Sequence, residues 1–163
     1  MTAPHVMILG VGNILLSDEG FGIRVIENID KTYEFADNVS IIDGGVLGIN
    51  LLGVMSQADH LIVVDVIRNG GNIGDLYRIA GDAIPERIRA KNSLHQIDFL
   101  EALTLCQALD KVPETVIVGV EPQDIETLCV ELTPLIKDRI EPVIDMVLEE
   151  LDHLKITYKK RTP

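Results

Sequence analysis

The sequence predicts an α/β protein built on a largely parallel sheet. Three observations lead there. Short apolar runs alternate with stretches of helical periodicity, which is the pattern of repeated strand–helix crossovers. The most hydrophobic run, "HLIVVDVI" (60–67), is continuous and rich in β-branched residues, as expected of a parallel strand covered on both faces. The chain has 163 residues, 47% of them apolar, enough for a single domain whose core needs no disulfide or structural metal.

Each element has its own signal. "HVMILGVG" (5–12) is an apolar run closed by glycines and reads as a buried strand. "GFGIRVIENIDKTY" (20–33) places Gly22, Val25, Ile26, Ile29 and Tyr33 on one helical face. "VSIIDGG" (39–45) is a second strand closed by a turn, and "GINLLGVM" (48–55) suggests a short helix before "HLIVVDVI". The turn "RNGGNIG" (68–74) allows a hairpin, so the strand "DLYRIA" (75–80) is free to run antiparallel. "AIPERIRAKNSLHQ" (83–96) reads as a short helix and a loop, and "IDFLEALTLCQAL" (97–109) has helical periodicity. "TVIVGV" (115–120) is the last core strand. "LTPLIKDRIEPVIDMVLEELDHL" (132–154) reads as one long helix, with Thr133 as N-cap and Pro134 in its first position. Pro142 should kink it, and the basic tail, from about residue 156 to 163, should fray.

The formal net charge of −12 argues against nucleic acid, which is bound by clustered Lys and Arg, and against an anionic membrane surface. A cation, a metal ion or a basic peptide suits this chain better. Its two cysteines, Cys106 and Cys129, form no CxxC pair, so no disulfide framework is implied. No basic stretch precedes the short N-terminal apolar run, so no signal peptide is expected. No apolar stretch is long enough to span a bilayer. A reducing cytoplasm is the expected compartment.

In parallel α/β sheets, ligands bind beyond the carboxyl ends of the strands, so residues there carry the functional question. The first strand ends in "LGVGNILLSDEG" (9–20). Gly10 and Gly12 fit a dinucleotide fingerprint, but its third glycine position holds Leu15. Asp18 and Glu19 fall where a helix N-terminus would meet pyrophosphate and would repel it. Asp18 alone reads as a partner of the helix dipole. Glu19 gains meaning from three other strand-end or loop residues. Asp65 interrupts an apolar strand, where a carboxylate is costly unless paired or coordinated. Asp43 closes "SIIDGG", and His95 lies in the polar "NSLHQ". Two carboxylates and an imidazole make an O,O,N set suited to a borderline divalent metal such as nickel or zinc. His5, His60 and His153 sit at element edges with no evident acidic consort, and Cys106 falls in a helical pattern as a core residue. Cys129 has no evident partner.

"GVGNILLSDEGFG", "DGGVLG", "HLIVVDVI", "SLHQ" and "VGVEP" occur here in the order that resembles the maturation endopeptidases of nickel–iron hydrogenases. The resemblance covers nearly the whole chain up to the terminal helix. It implies a three-layer α/β/α fold, a five-stranded twisted sheet with helices on both faces. It implies an endopeptidase that removes the C-terminal peptide of a hydrogenase large-subunit precursor after nickel insertion. Glu19, Asp65 and His95 would be the metal ligands, and Asp43 would take part in cleavage. The nickel would arrive with the substrate, and zinc or cadmium could stand in for it. The expected protein is a cytoplasmic monomer whose partner is that precursor. Two other readings stay open: a non-catalytic nickel chaperone or carrier, and a nucleotide-binding regulatory domain.

Overall fold

The computed structural model describes residues 3–45, 57–81 and 113–162. The chain forms β1 (Val6–Val11), a 3-10 turn (Ser17–Gly20), α1 (Phe21–Thr32), β2 (Tyr33–Phe35) and β3 (Val39–Gly45). β4 (His60–Val66), β5 (Leu76–Ala80) and β6 (Glu114–Val120) follow, then α2 (Pro134–Lys137), α3 (Ile140–His153) and β7 (Tyr158–Lys160). The expected helices over 48–55 and 83–109 lie outside the described residues.

Five strands form a sheet in the order β3-β1-β4-β6-β5. The first four are mutually parallel, with Leu9 opposite Ile42 and Val63, and Asp65 opposite Gly119. This is the mostly parallel α/β sheet the sequence predicts. β5 runs antiparallel, but its partner is β6 and not β4. The Asn-Gly-Gly turn therefore closes no hairpin. The segment after β4 crosses the end of β6 instead, through backbone bonds from Ile67 to Val120 and between Glu121 and both Gly74 and Asp75.

Strand alternation divides the core in two. Val6, Ile8, Ile62, Val64 and Val118 face α1 and α3, meeting Phe21, Val25, Ile29, Val147 and Leu151. Met7, Leu9, Leu61, Val63 and Ile117 form a second buried cluster on the opposite face. On α1 the apolar stripe is as expected except at its end. Tyr33 has left the helix for an extended conformation and opens β2.

The C-terminal region differs from the sequence reading twice. The long helix is broken, not kinked, between Lys137 and Ile140. A continuous helix would drive the Pro142 ring into the carbonyl of Asp138. In the first turn of a separate α3, Pro142 gives up only a bond that position never makes. The tail is not frayed: β7 pairs antiparallel with β2, and the Arg161 N–H donates to the Thr32 carbonyl. Tyr158 packs edge-on against Tyr33 with ring centres 5.9 Å apart.

Candidate active site

The carboxyl end of β1 is shaped by three glycines. A Cβ on Gly10 would lie 2.6 Å from the Gly22 carbonyl oxygen, and one on Gly22 would lie 2.2 Å from that of Val64. α1 can therefore rest directly on the ends of β1 and β4. Close helix–strand contact, the task of the third glycine in a dinucleotide loop, falls here to Gly22 and not to position 15. Gly12 has φ +140°, and a Cβ there would come within 1.9 Å of the Glu19 carbonyl oxygen. The Asn13 N–H donates to that same oxygen at 3.2 Å. The loop thus folds back on itself and brings the Asp18-Glu19 turn over the sheet edge.

Asp18 and Glu19 are adjacent, like-charged and buried, yet they are used differently. Asp18 is fully buried. Its Oδ2 accepts from the backbone N–H groups of Gln123 and Asp124, at 3.0 and 2.9 Å. Its Oδ1 accepts from the Thr133 N–H at 2.8 Å, and the Thr133 hydroxyl lies within 3.0 Å of both oxygens. Asp18 is therefore a structural residue, as expected, but through the loop after β6 and not through the dipole of α1. The same bonds occupy the Thr133 hydroxyl, which makes no side-chain cap to α2.

Glu19 is 7% exposed and lies in the 3-10 turn that leads, through Gly20, into α1. The 3-10 turn that carries it lies against β4. Asp65, 6% exposed, is the penultimate residue of β4, and its Oδ1 accepts from the Val66 N–H at 2.8 Å. Two buried carboxylates thus stand at the carboxyl edge of the two central strands. Asp43 lies at the same edge, opposite Gly10, but on the outer strand β3 and exposed. Alternation assigns it to the α1 side with Ile41, whereas Asp65 shares the other side with Leu61 and Val63. A register shift in β3 beside Asp43 and the φ of +48° at Gly45 turn the chain away there. His95 lies outside the described residues. Among the described residues no group of three or more metal-ligating side chains gathers.

The other candidates fall elsewhere. His60 does have an acidic neighbour, contrary to the sequence reading: its Nδ1 is 3.3 Å from a Glu114 carboxylate oxygen. Both residues are at the amino ends of their strands, far from Asp65 along β4. At that edge too, the His5 ring bridges the Gln57 carbonyl and the Ser40 hydroxyl, at 2.9 and 2.7 Å. A serine thus meets a histidine, but at the edge opposite the glycine loop. Cys129 is held through its backbone in a bridge with Leu16. Cys106 lies outside the described residues.

One strand-end residue escaped the sequence reading. Glu121, in "VGVEP" directly after β6, is buried. Its Oε1 accepts from the backbone N–H groups of Asn69 and Gly71, at 3.0 and 2.9 Å, and from the Tyr77 hydroxyl at 2.8 Å. Burial, reinforced by this carboxylate, pushes the Tyr77 phenol up to about 12. The signal was the one that exposed Asp65, a carboxylate abutting an apolar strand.

Comparison with known proteins decides the family. The model of the family described as "HycI: Hydrogenase maturation protease" matches residues 23–150. The chain belongs to the hydrogenase maturation protease family. It is 38% identical over 160 residues to the hydrogenase expression/formation protein HupD of Bradyrhizobium diazoefficiens, covering 97% of this chain and 83% of that protein. It is 36% identical over 149 residues to the hydrogenase 2 maturation protease of Escherichia coli, covering 90% of each. The solved structure of the hydrogenase maturating endopeptidase HybD from E. coli superposes with a TM-score of 0.93 at 34% identity, covering 96% of this chain and 98% of that one. Membership of the family makes the chain a protease, hence a hydrolase, and matches its α/β fold. No helix among the described residues is long and apolar enough to cross a membrane.

Proposed function

We propose that this protease trims the C-terminal peptide from a nickel–iron hydrogenase large-subunit precursor once nickel is in place, and that Glu19, Asp65 and His95 engage the substrate's metal. The observation that carries this reading is the pair of buried carboxylates, Glu19 and Asp65, at the carboxyl edge of β1 and β4. Burying carboxylate charge is costly and is kept where a cation or a set of donors repays it. Oxygen donors joined by an imidazole complete the coordination of a divalent ion already held by a substrate. The acidic chain, at −12, adds a field that favours a cationic target. Nickel is here part of the substrate. Asp43, exposed at the same edge, is the candidate base for the attacking water.

The test uses purified nickel-loaded precursor and mass spectrometry of its C-terminus. Wild-type protein shortens the precursor. Glu19→Gln, Asp65→Asn and His95→Ala leave it full length while the variants keep the wild-type circular dichroism spectrum. Asp43→Asn still binds precursor but does not cut it. Normal trimming by the first three variants rejects the metal-recognition reading. Intact precursor after incubation with wild-type protein, with nickel handed over, favours a carrier instead.

A further inference from the structure

A patch beside the Glu19 turn leaves apolar side chains exposed. Leu128 is 81% exposed, Val130 57% and Leu15 53%, with Ile14 next to them at 38%. Isolated exposed leucines need no explanation, but a contiguous apolar patch marks an interaction surface. These residues are contiguous because two segments lie side by side. The Cys129 N–H donates to the Leu15 carbonyl at 2.9 Å, and the Ser17 N–H donates to the Cys129 carbonyl at 2.7 Å. Leu128 and Val130 flank that bridge on one strand, and Leu15 lies on the other.

The exposure is not the looseness of a surface loop. The Ser17 hydroxyl donates to the Glu131 carbonyl at 3.0 Å, and Arg24 donates to the Val130 carbonyl at 3.1 Å. Asp18 clamps both ends of the later segment, at Gln123 and Asp124 and at Thr133. Fixing apolar side chains in water gives folding nothing, whereas a preorganised surface lowers the entropy cost of binding.

Charge identifies the occupant. From Glu121 to Pro134 the chain has four carboxylates and no Lys or Arg. Glu126 and Glu131, exposed, border the apolar patch. The neighbouring cation, Arg24, is engaged by Glu27 and the Val130 carbonyl. The complementary partner is an extended segment with apolar side chains flanked by Lys or Arg. Location narrows it further. Leu15 is four residues from Glu19, at most about 14 Å even along an extended chain. A polypeptide on the patch reaches the buried carboxylates within a few residues.

We propose that the surface of Leu15, Leu128 and Val130, rimmed by Glu126 and Glu131, docks an apolar, basically flanked segment of the precursor and aligns it with the Glu19–Asp65 edge. This rests on the processing function proposed above, but its test does not depend on cleavage. Nickel-loaded precursor is immobilised, and equilibrium binding is measured by interferometry at low and high salt. Leu128→Ser with Val130→Ser raises Kd about tenfold or more, as loss of interface anchors does. Leu128→Met with Val130→Ile stays near wild type. Glu126→Lys with Glu131→Lys weakens binding at low salt, and the difference shrinks at high salt. All these positions are exposed, and thermal melts check that the variants fold. Kd unchanged within twofold in the serine variant overturns the proposal, and so does a wild-type protein that binds no precursor. Sedimentation that shows a wild-type dimer, lost in the serine variant, assigns the patch to a second copy and also overturns it. Wild-type protein that binds through the patch without cutting supports docking and refutes processing. Cutting with an unchanged Kd in the variant does the reverse.

Discussion

Replacing Asp18 by Asn tests whether one buried side chain holds the loop architecture of the site. The carboxylate takes three backbone N–H groups and a hydroxyl on two oxygens. An asparagine of the same shape has one acceptor oxygen and one NH2. If the amide keeps the oxygen facing Gln123 and Asp124, the Thr133 N–H meets a donor. A buried donor without a partner costs about 1–3 kcal/mol, and hydrogen bonds to a neutral acceptor are weaker than to a charged one by about 1 kcal/mol each. A neutral group is cheaper to bury, which returns part of this. The net loss is about 3 kcal/mol, a large share of the 5–15 kcal/mol typical of a folded domain. Urea unfolding followed by circular dichroism at 25 °C reads it directly. With a slope near 2 kcal/mol per molar, the midpoint falls by about 1.5 M. Asp18→Ala, which strands all three N–H groups, loses more. A loss below about 1 kcal/mol for Asp18→Asn refutes the reasoning, for the loop after β6 would then be held by something else.

Gly12→Ala places a methyl 1.9 Å from the Glu19 carbonyl oxygen at a φ of +140°; stability falls by about 2–4 kcal/mol and precursor trimming at least tenfold, read by thermal melts and mass spectrometry. Tyr77→Phe lowers stability below pH 10, where the phenol's hydrogen bond to Glu121 is intact, and the deficit shrinks in alkali. The native phenol holds its proton up to about 12 and the unfolded one to about 10, so its contribution is intact below pH 10 and is lost as pH rises from 10 to 12. Two pH units bound the effect at about 2.7 kcal/mol, and solvent at this half-buried ring reduces it to about 1 kcal/mol. The wild-type-minus-variant difference in urea stability should fall across that window; Tyr158, also raised, is present in both proteins and cancels. A difference that stays flat from pH 9 to 12 contradicts the assignment.

Legibility in the sequence followed the range of the interaction. β4 and β6 were readable because continuous apolar strands carry their burial in their own composition. The buried face of α1 was readable from its period, up to Tyr33, where a strand partner 127 residues away, Lys160, takes over. Three-residue strands such as β2 and β7 have no period to detect, so the basic tail looked free. Asp18 shows the same limit at the site. Its local setting, an acid before a helix, was visible, but its bonding partners lie 105 to 115 residues away. Asp65 was legible because burial of a carboxylate contradicts an apolar strand, and that conflict is written in the sequence itself, whereas Glu19 stood out only beside Asp65, Asp43 and His95.

The two structural acids explain how the candidate edge is kept in shape. Asp18 joins the loop after β1 to the loop after β6. Glu121, at the start of that second loop, joins β6 to the crossing between β4 and β5. The strand-end loops of β1, β6 and β4 are thus tied in series by carboxylates that accept backbone N–H groups. Each such acceptor fixes two loops at once, since loops carry N–H groups that no sheet satisfies. Glu19 and Asp65 sit within that chain of ties, one on the first loop and one at the end of β4. On the function proposed above, this arrangement would present Glu19 and Asp65 already ordered to a metal held by the substrate, so that binding energy would go into recognising the substrate.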